Sequence, residues 1–412
     1  MREVLPNMHS LKSKREASQL CFLLTVVYMI SYITRTNFGA IVSEIAASTG
    51  FGKSQLAMSL TGSFITYGIG QLFSGVLGDK VSPKKMVTIG LAVTVAINLL
   101  IPLCPNPWWM LGAWSMNGFA QAMMWPPIVR IITTAYSGDA CKKTMTTVSS
   151  GGYGGTICIY LLAPLVIWLT GWKGVFIGSA IMGTAMLIVW QFAAKDVALE
   201  TDHKQVNVRK TPVKLLLSPM MFMVFLAIIM MGMLREGVSA WMPTFVSESF
   251  HLGNEISILT GVLLPVFSIL CVRFADWLYR KIITHPLLCS SALFGVAALF
   301  AFVLYMFCQS NVAVSIFSFA ALYGAINGVN LLLIGMIPPF FAKRGGVSTV
   351  SGVLNFFTYV GSAVSTYGIA ALSEGIGWSK TIFIWVLIAL AGGLICMVSI
   401  KPWKRTFGND DE

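Results

Sequence analysis

Long apolar stretches separated by short polar breaks run through the whole of this 412-residue sequence. Hydrophobic residues make up 56% of the chain and charged residues only 11%, whereas soluble domains carry about 25% charged residues. So few charges cannot cover a folded globule, but a run of about 20 apolar residues matches the thickness of a bilayer. Lipid offers no hydrogen bonds to a free backbone. The sequence therefore predicts an all-α, multi-pass integral membrane protein in contact with the lipid bilayer.

The apolar stretches number twelve, and one polar, basic segment divides them six and six. This segment predicts a cytoplasmic linker, 194–217, between an N-terminal six-helix bundle, 1–193, and a C-terminal six-helix bundle, 218–412. The predicted spans are 18–46, 55–78, 85–104, 108–135, 144–169, 173–193, 218–248, 254–280, 284–307, 312–341, 347–372 and 378–399.

Lysine and arginine are divided unequally between the two sides of the predicted membrane. Of the 28, 21 lie in or at the edges of the tails, the linker and alternate loops, and four lie within apolar segments. The remaining three, Lys53, Lys173 and Lys380, lie in or at the edges of the other loops. Basic residues favour the cytoplasmic side, so both termini are predicted to be cytoplasmic. The net charge of +12 therefore reflects topology, and we expect no nucleic-acid partner.

Three pairs of landmarks recur in the two halves, with separations of 200, 197 and 206 residues. So constant an offset indicates two bundles related by a pseudo-two-fold axis along the membrane normal, which resembles the major facilitator architecture. The pairs are Arg35 with Arg235, Asp79 with Asp276, and Gly171-Trp172 with Gly377-Trp378.

Arg35 and Arg235 are the strongest candidates for substrate binding. Each lies roughly 25 Å along its span from the cytoplasmic end, at 1.5 Å per residue, and a central arginine costs about 2.5–3.5 kcal/mol to insert. Guanidinium groups present paired donors that fit phosphate or carboxylate oxygens. Facing each other across the axis, the two arginines would clamp a small anion. Alternatively, each pairs with an acid or a carbonyl group and only packs helices together.

Glu236 follows Arg235 directly in the sequence. Neighbouring residues in a helix point about 100° apart, so the two side chains are not expected to face each other. Glu236 could carry a coupling proton, or it could be a structural or gating partner across the bundle.

Four further charged residues are predicted to form gates near the cytoplasmic ends of the helices. Arg273 precedes Asp276 by three residues, a spacing that allows an ion pair within one helix. We assign Arg130 and Arg273 to gate pairs with Asp79 and Asp276.

Motifs for chemistry other than transport are missing from the sequence. There is no glycine-rich loop with a lysine to bind ATP phosphates, and the eight cysteines show neither paired nor metal-ligand spacing. All four histidines lie in tails, loops or span ends. We therefore expect no enzymatic activity, cofactor, bound metal or obligate protein partner.

Five aromatic residues within the spans either face a wet cavity or simply pack: Tyr32, Tyr67, Trp125, Tyr323 and Tyr359.

At these motifs the sequence resembles the organophosphate:phosphate antiporters of the major facilitator superfamily. The similar segments cover essentially the whole chain, and they include YITRTNFG around Arg35 and LREGVSAWMPTF around Arg235. The loop segment GVLGDKVSPKK, which contains Asp79, resembles the superfamily's loop between helices 2 and 3, where Asp79 would hold the inward gate. The other segments are ITYGIGQLFSGVLGD (65–79), QAMMWPPIVR (121–130) and NFFTYVGS (355–362).

The resemblance implies exchange of a phosphorylated metabolite for inorganic phosphate, in a bacterial cytoplasmic membrane, by rocking of the two halves. Arg35 and Arg235 would then grip the phosphoryl group, and the five aromatic residues, Gln71 and Asn355 would line the pathway. Members that carry glycerol phosphate have a lysine at the position of Gln71 and a histidine at that of Gly151. Hexose phosphates, other phosphorylated metabolites, phosphonates and non-phosphorylated organic anions thus remain open. A proton-coupled anion symporter and a transporter-like sugar-phosphate sensor are the competing hypotheses.

Overall fold

The computed structural model describes residues 14–77, 81–136, 138–194, 213–341 and 347–407, and within these ranges it contains helices and no strand. The N-terminal half comprises α1 (Lys14–Ala40), α2 (Val42–Thr49), α3 (Lys53–Leu77), α4 (Pro83–Leu100), α5 (Pro107–Gln121), α6 (Trp125–Ala135), α7 (Gly138–Thr170) and α8 (Trp172–Ala193). The C-terminal half comprises α9 (Val213–Leu216), α10 (Pro219–Phe250), α11 (Asn254–Thr260), α12 (Leu263–Lys281), α13 (Pro286–Phe307), α14 (Val312–Asn330) and α15 (Val347–Phe407).

Every predicted span coincides with helical structure, although several spans are broken or joined. The span predicted as 18–46 is formed by α1 and α2, and that predicted as 108–135 by α5 and α6. The last two predicted spans run together in α15, which is kinked at Gly377. Nine helices of the described residues are long and apolar enough to cross a membrane. The fold class is thus confirmed, and the arrangement is consistent with twelve spans.

Helix ends follow local sequence signals. The side chains of Ser82, Asn106 and Ser218 each accept a backbone hydrogen bond at the start of α4, α5 and α10, with a proline at the next position. Proline suits the first helical position because the amide hydrogen that it lacks would have no partner there. These caps place the polar ends of long apolar helices.

One of the repeated landmarks has the same backbone geometry in both halves. Gly171 separates α7 from α8 with φ 74° and ψ 179°, and Gly377 lies at the kink of α15 with φ 79° and ψ 167°. This region of backbone space is open essentially only to glycine. The sharp turn before Trp172 and before Trp378 is therefore a structural repeat as well as a sequence repeat.

A buried polar network ties the N-terminal half together. The Asn37 amide nitrogen lies 2.7 Å from the side-chain oxygen of Asn98 and 3.1 Å from the hydroxyl of Ser179. The Asn98 amide in turn donates to the carbonyl oxygens of Thr34 and Thr94, at 3.1 and 2.9 Å. Buried polar groups cost free energy unless they are hydrogen-bonded, so this network fixes how α1, α4 and α8 pack.

Candidate functional site

A cavity of about 250 Å³ lies between the two halves. Its wall contains both span arginines, together with aromatic, hydroxyl and amide side chains from α1, α7, α10, α14 and α15. Five residues that the sequence assigned to substrate binding line it: Arg35, Arg235, Tyr32, Tyr323 and Tyr359. The fold therefore brings residues that are 200 positions apart in the sequence to one chamber.

Arg35 lies in a cage of tyrosine rings. Its guanidinium carbon is 4.2 Å from the ring centre of Tyr67, 5.6 Å from that of Tyr32 and 5.8 Å from that of Tyr359. Within the described residues the guanidinium makes no hydrogen bond or ion pair. Cation–π contacts stabilise the charge by about 0.5–2 kcal/mol each, but they leave all five N–H donors open to a ligand.

Arg235, by contrast, already donates hydrogen bonds to two side chains of the protein. Its Nε and Nη2 donate to one oxygen of Glu236 at 3.1 and 2.7 Å, and its Nη1 donates to Asn330 Oδ1 at 2.8 Å. The expectation that Arg235 and Glu236 do not face each other was wrong. Both side chains lie in the wall of the same cavity, and both are long enough to bridge the 100° between neighbouring positions.

Several residues of the cavity were missed by sequence reasoning. Asn330 is the last residue of α14 and precedes a π-helical turn, Leu331–Met336; such turns often occur at functional sites. Tyr28, Tyr153 and Tyr160 also line the cavity. Their position within spans, the criterion that selected the other tyrosines, would have found them.

The remaining predicted binding residues lie outside this wall. Tyr67 is buried behind it and touches Arg35 and Tyr359. Gln71 donates to the carbonyl oxygen of Ala122, and Asn355 to that of Ser351 in its own helix. Trp125 packs on Tyr28, with ring centres 4.8 Å apart. Their roles in binding stay predictions.

The two glycines in the middle of α7 serve close packing. A Cβ atom on Gly151 would lie 2.6 Å from the carbonyl oxygen of Thr25, and one on Gly152 would lie 2.9 Å from the ring of Tyr32. Position 151 therefore faces α1 and not the cavity. A larger side chain at this position would clash with α1 unless the helices moved apart.

A set of polar contacts joins the halves at the end that the charge asymmetry assigns to the outside; we call it the outer contact cluster. Lys53 Nζ lies 2.8 Å from Glu248 Oε2, and the indole nitrogen of Trp378 donates to that oxygen at 2.8 Å. Lys53 also lies 5.2 Å from the ring centre of Trp378. The cluster is completed by Ser54 with Glu374 and by Glu44 with Asn254.

The outer contact cluster contains most of the hydrogen bonds between the halves in the part of the chain that the structure describes. Two further ones join Thr61 to Ala363 and Tyr160 to Ser239, partway along the helices. A chamber of polar side chains thus lies between the two halves of the chain, and polar contacts join the halves at one end.

The sequence between residues 24 and 366 matches the Major Facilitator Superfamily. This chain belongs to that superfamily. Its members are secondary transporters, so the chain is a membrane transport protein and not an enzyme.

Relatives in the superfamily align over most of their own length. A probable hexose phosphate transport protein of Chlamydia pneumoniae is 22% identical and the alignment covers 95% of this chain and 92% of the relative. The membrane sensor protein UhpC of Salmonella typhimurium is 21% identical, covering 90% and 88%. The glycerol-3-phosphate transporter of Bacillus subtilis is 21% identical, covering 94% and 90%. These relatives agree with the resemblance seen in the sequence motifs.

Solved structures of the superfamily share the fold. A bacterial homologue of the human lysosomal transporter Spinster, in an inward-facing and unoccupied conformation, superposes with a TM-score of 0.82 at 12% identity, covering 97% of this chain and 99% of that one. The D-xylose–proton symporter superposes with a TM-score of 0.74 at 12% identity, covering 93% and 97%.

The structure describes three of the four predicted gate residues, Arg130, Arg273 and Asp276. Asp79 lies outside the described residues. Asp276 pairs with Arg280, at 2.8 Å, and not with Arg273, which is exposed; the i,i+4 spacing lets Arg280 reach the carboxylate along the helix surface. The predicted pairing of Arg273 with Asp276 was therefore wrong in this conformation. Arg130 Nη1 is buried and makes no hydrogen bond within the described residues.

Proposed function

We propose that this protein carries a small organic anion across the membrane by alternating access, with Arg35 and Arg235 as the anion-binding groups. The substrate is a phosphorylated metabolite, and it is exchanged for inorganic phosphate. The proposal rests on the two arginines of the cavity, and most of all on Arg35.

Arg35 is the observation that carries the proposal. It lies within the first span, which α1 and α2 form, where a charge costs about 2.5–3.5 kcal/mol to insert. Within the described residues it makes no hydrogen bond or ion pair with an acidic side chain, although Glu236 faces the same cavity. Aromatic rings surround it without using its donors. A structural arginine would be paired, so the open donors are best explained by a ligand that brings its own negative charge.

The relatives support the chemical class of the substrate. One is named for hexose phosphate transport and another for glycerol-3-phosphate transport. Both names describe an anionic phosphoryl group on a small polar body. A cavity with two arginines, several tyrosine hydroxyls and amide side chains suits such a ligand, because charged donors bind the phosphoryl oxygens and hydroxyls bind the body.

Transport then follows from rocking of the halves around the site. The outer contact cluster holds one end shut, and its loss accompanies opening on that side. The predicted gates around Asp79 and Asp276 would close the opposite end in turn. Exchange arises if the empty protein crosses between the two conformations slowly and the anion-loaded protein crosses quickly.

Counterflow in proteoliposomes tests the function. Vesicles loaded with inorganic phosphate should take up labelled hexose phosphate or glycerol phosphate, and Arg35→Lys should abolish most of this uptake although the charge is kept. Lysine is a point donor that cannot reproduce a forked contact, and one lost charge-assisted hydrogen bond costs about 1.5–3 kcal/mol. That corresponds to roughly ten- to a hundredfold in affinity, and Arg235→Lys should have a comparable effect.

A matched control is Arg405→Lys, because Arg405 is exposed and lies outside both the cavity and the predicted gates. It should leave counterflow and affinity unchanged. Near-normal affinity in purified, folded Arg35→Lys protein would refute the anion-binding role.

Two other functions each have one observation in their favour. Glu236 is a carboxylate in the cavity wall, which suits a proton-coupled symporter; an imposed proton gradient should then drive uptake without internal phosphate. A relative of similar coverage is named a membrane sensor, which suits a sugar-phosphate receptor; such a protein would bind the ligand but show no counterflow.

A further inference from the structure

Two arginines alone would give the cavity wall two positive charges, but the wall also contains a carboxylate, so its net charge is smaller. Within the described residues the charged groups of the wall are Arg35, Arg235 and Glu236. With all three ionised, the cavity carries one net positive charge. A ligand with two negative charges would therefore leave an uncompensated charge in a low-dielectric site, which is costly.

Because of Glu236, the two arginines also differ in the number of hydrogen-bond donors that are free to bind a ligand. Its oxygen takes the Nε and one Nη2 hydrogen of Arg235, and Asn330 takes one hydrogen of Nη1. Arg235 thus has two of its five donors left, whereas Arg35 has all five. The anion is held mainly by Arg35 and is completed by the two remaining donors of Arg235.

We propose that Glu236 sets the charge of the bound anion: one negative charge while Glu236 is ionised, and two only when Glu236 takes up a proton. The inference rests on the proposed function, since it requires an anion in this cavity. It makes Glu236 a specificity-determining residue that links proton uptake to the binding of doubly charged substrates.

Glu236 is the one carboxyl group in the cavity wall within the described residues, and four titratable or charged side chains face it. They are Arg235 on its own helix, Arg35 on α1, Tyr160 on α7 and Tyr323 on α14. Among these side-chain types, carboxyl groups titrate below pH 7, and tyrosine and arginine well above it. Binding that requires a proton on a carboxylate weakens by about tenfold for each pH unit above the titration of that group.

Inorganic phosphate and sulfate are suitable probes, because they have the same tetrahedral shape and different charges. Phosphate is mostly singly charged at pH 6, whereas sulfate keeps both charges at every pH used. Affinities can be measured from the thermal stabilisation of the purified full-length protein, which follows ligand binding and tolerates weak ligands. Wild type, Glu236→Gln and the control Glu255→Gln should be compared at pH 6, 7 and 8. Glu255 is exposed and lies outside the cavity.

Wild-type protein should bind phosphate more tightly than sulfate at pH 6, and its sulfate affinity should fall about tenfold per pH unit. Glu236→Gln keeps an oxygen that can accept from Arg235 but removes the charge. Its sulfate affinity should be independent of pH and, at pH 8, at least about tenfold above that of wild type. Glu255→Gln should behave as wild type.

Three results would overturn the inference. The first is a sulfate affinity of wild-type protein that does not change with pH. This result does not depend on whether any variant folds. The second is a pH slope that persists in Glu236→Gln. The third is an equal loss of both anions in Glu236→Gln, which would mean that Glu236 only positions Arg235. The proposed function fails differently: neither anion would then stabilise wild-type protein, or Arg35→Lys would bind both normally.

Discussion

Breaking the outer contact cluster should shift the protein towards conformations that are open on the outer side. Lys53 is the centre of the cluster, since it pairs with Glu248 and lies over the ring of Trp378. Lys53→Met keeps the length of the aliphatic chain and removes both of these interactions, together with the hydrogen bond from Lys53 Nζ to Ser373 Oγ. Under the proposed mechanism these contacts break when the outer end opens, so the variant should lose stability in the closed conformation and not in the outward-open one.

The expected change in free energy can be estimated from how exposed the interacting side chains are. The side chain of Lys53 is 13% exposed and that of Glu248 is 40% exposed, so the pair is close to a surface ion pair, worth about 0.2–1 kcal/mol. The cation–π contact adds about 0.5–1 kcal/mol. Together they give about 1–2 kcal/mol, which is roughly a five- to thirtyfold change in the ratio of the two conformations.

Distances between spin labels on the two halves can measure this ratio. Ala47 in α2 and Ile376 in α15 are exposed near the outer end, and cysteines placed there can be labelled once the eight native cysteines are replaced. Lys53→Met should increase the population at long distance. Glu248→Gln should do the same, and the double variant should add little because the two residues share one interaction.

Lys173→Met is the matched control. Lys173 lies near the start of its helix and close to an indole, as Lys53 does, and it is 5.8 Å from the ring centre of Trp172. Both Lys173 and Trp172, however, belong to the same half. Its loss should leave the distance distribution unchanged. If Lys53→Met changed the ratio of the two conformations by less than twofold, or if Lys173→Met changed it equally, the outer contact cluster would not be what holds the outer end shut.

Two further predictions concern topology and stability. A membrane-impermeant thiol reagent added outside cells should label Lys173→Cys and miss Lys281→Cys, both exposed positions; the opposite pattern would contradict the orientation inferred from the lysine and arginine distribution. Asn98→Leu should cost about 1–3 kcal/mol, because Asn37 loses a buried partner, and should lower the melting temperature of the purified protein by several degrees. Thr184→Val, whose hydroxyl bonds only to the carbonyl oxygen of Ala180, should change it little; equal melting temperatures for the two variants would contradict the role of the network.

The sequence predicted the helices and the central arginines because both are dictated by the membrane. An apolar run of sufficient length must be helical in lipid, and a buried arginine must have a reason to be there. Arg35 and Arg235 could therefore be recognised as candidate site residues from the sequence alone. The glycine turn at Gly171 and Gly377 was recognisable as a repeat for a similar reason, since a positive φ leaves little choice of residue.

Side-chain partnerships were predicted poorly, because helical spacing fixes only the direction of the Cα–Cβ bond. Arg235 and Glu236 meet in spite of the angle between them, as two long side chains that share one polar cavity in an apolar surrounding. Arg280 replaces Arg273 as the partner of Asp276. The outer contact cluster was also missed, since each of its pairs joins residues on different halves and no local pattern marks them.

The ring cage of Arg35 suggests how binding and rocking are coupled under the proposed mechanism. Two of its rings, Tyr32 and Tyr67, belong to the N-terminal half, and the third, Tyr359, belongs to the C-terminal half. Tyr359 also touches Gly68, where a Cβ atom would lie 3.2 Å from the Tyr359 side chain. Any rotation of one half against the other must therefore move Tyr359 relative to the guanidinium. An anion that bridges Arg35 and Arg235 binds one arginine from each half, so its affinity depends on the same displacement. A ligand shifts a conformational equilibrium only by the difference in its affinity for the two states, and a site built from both halves is what produces that difference.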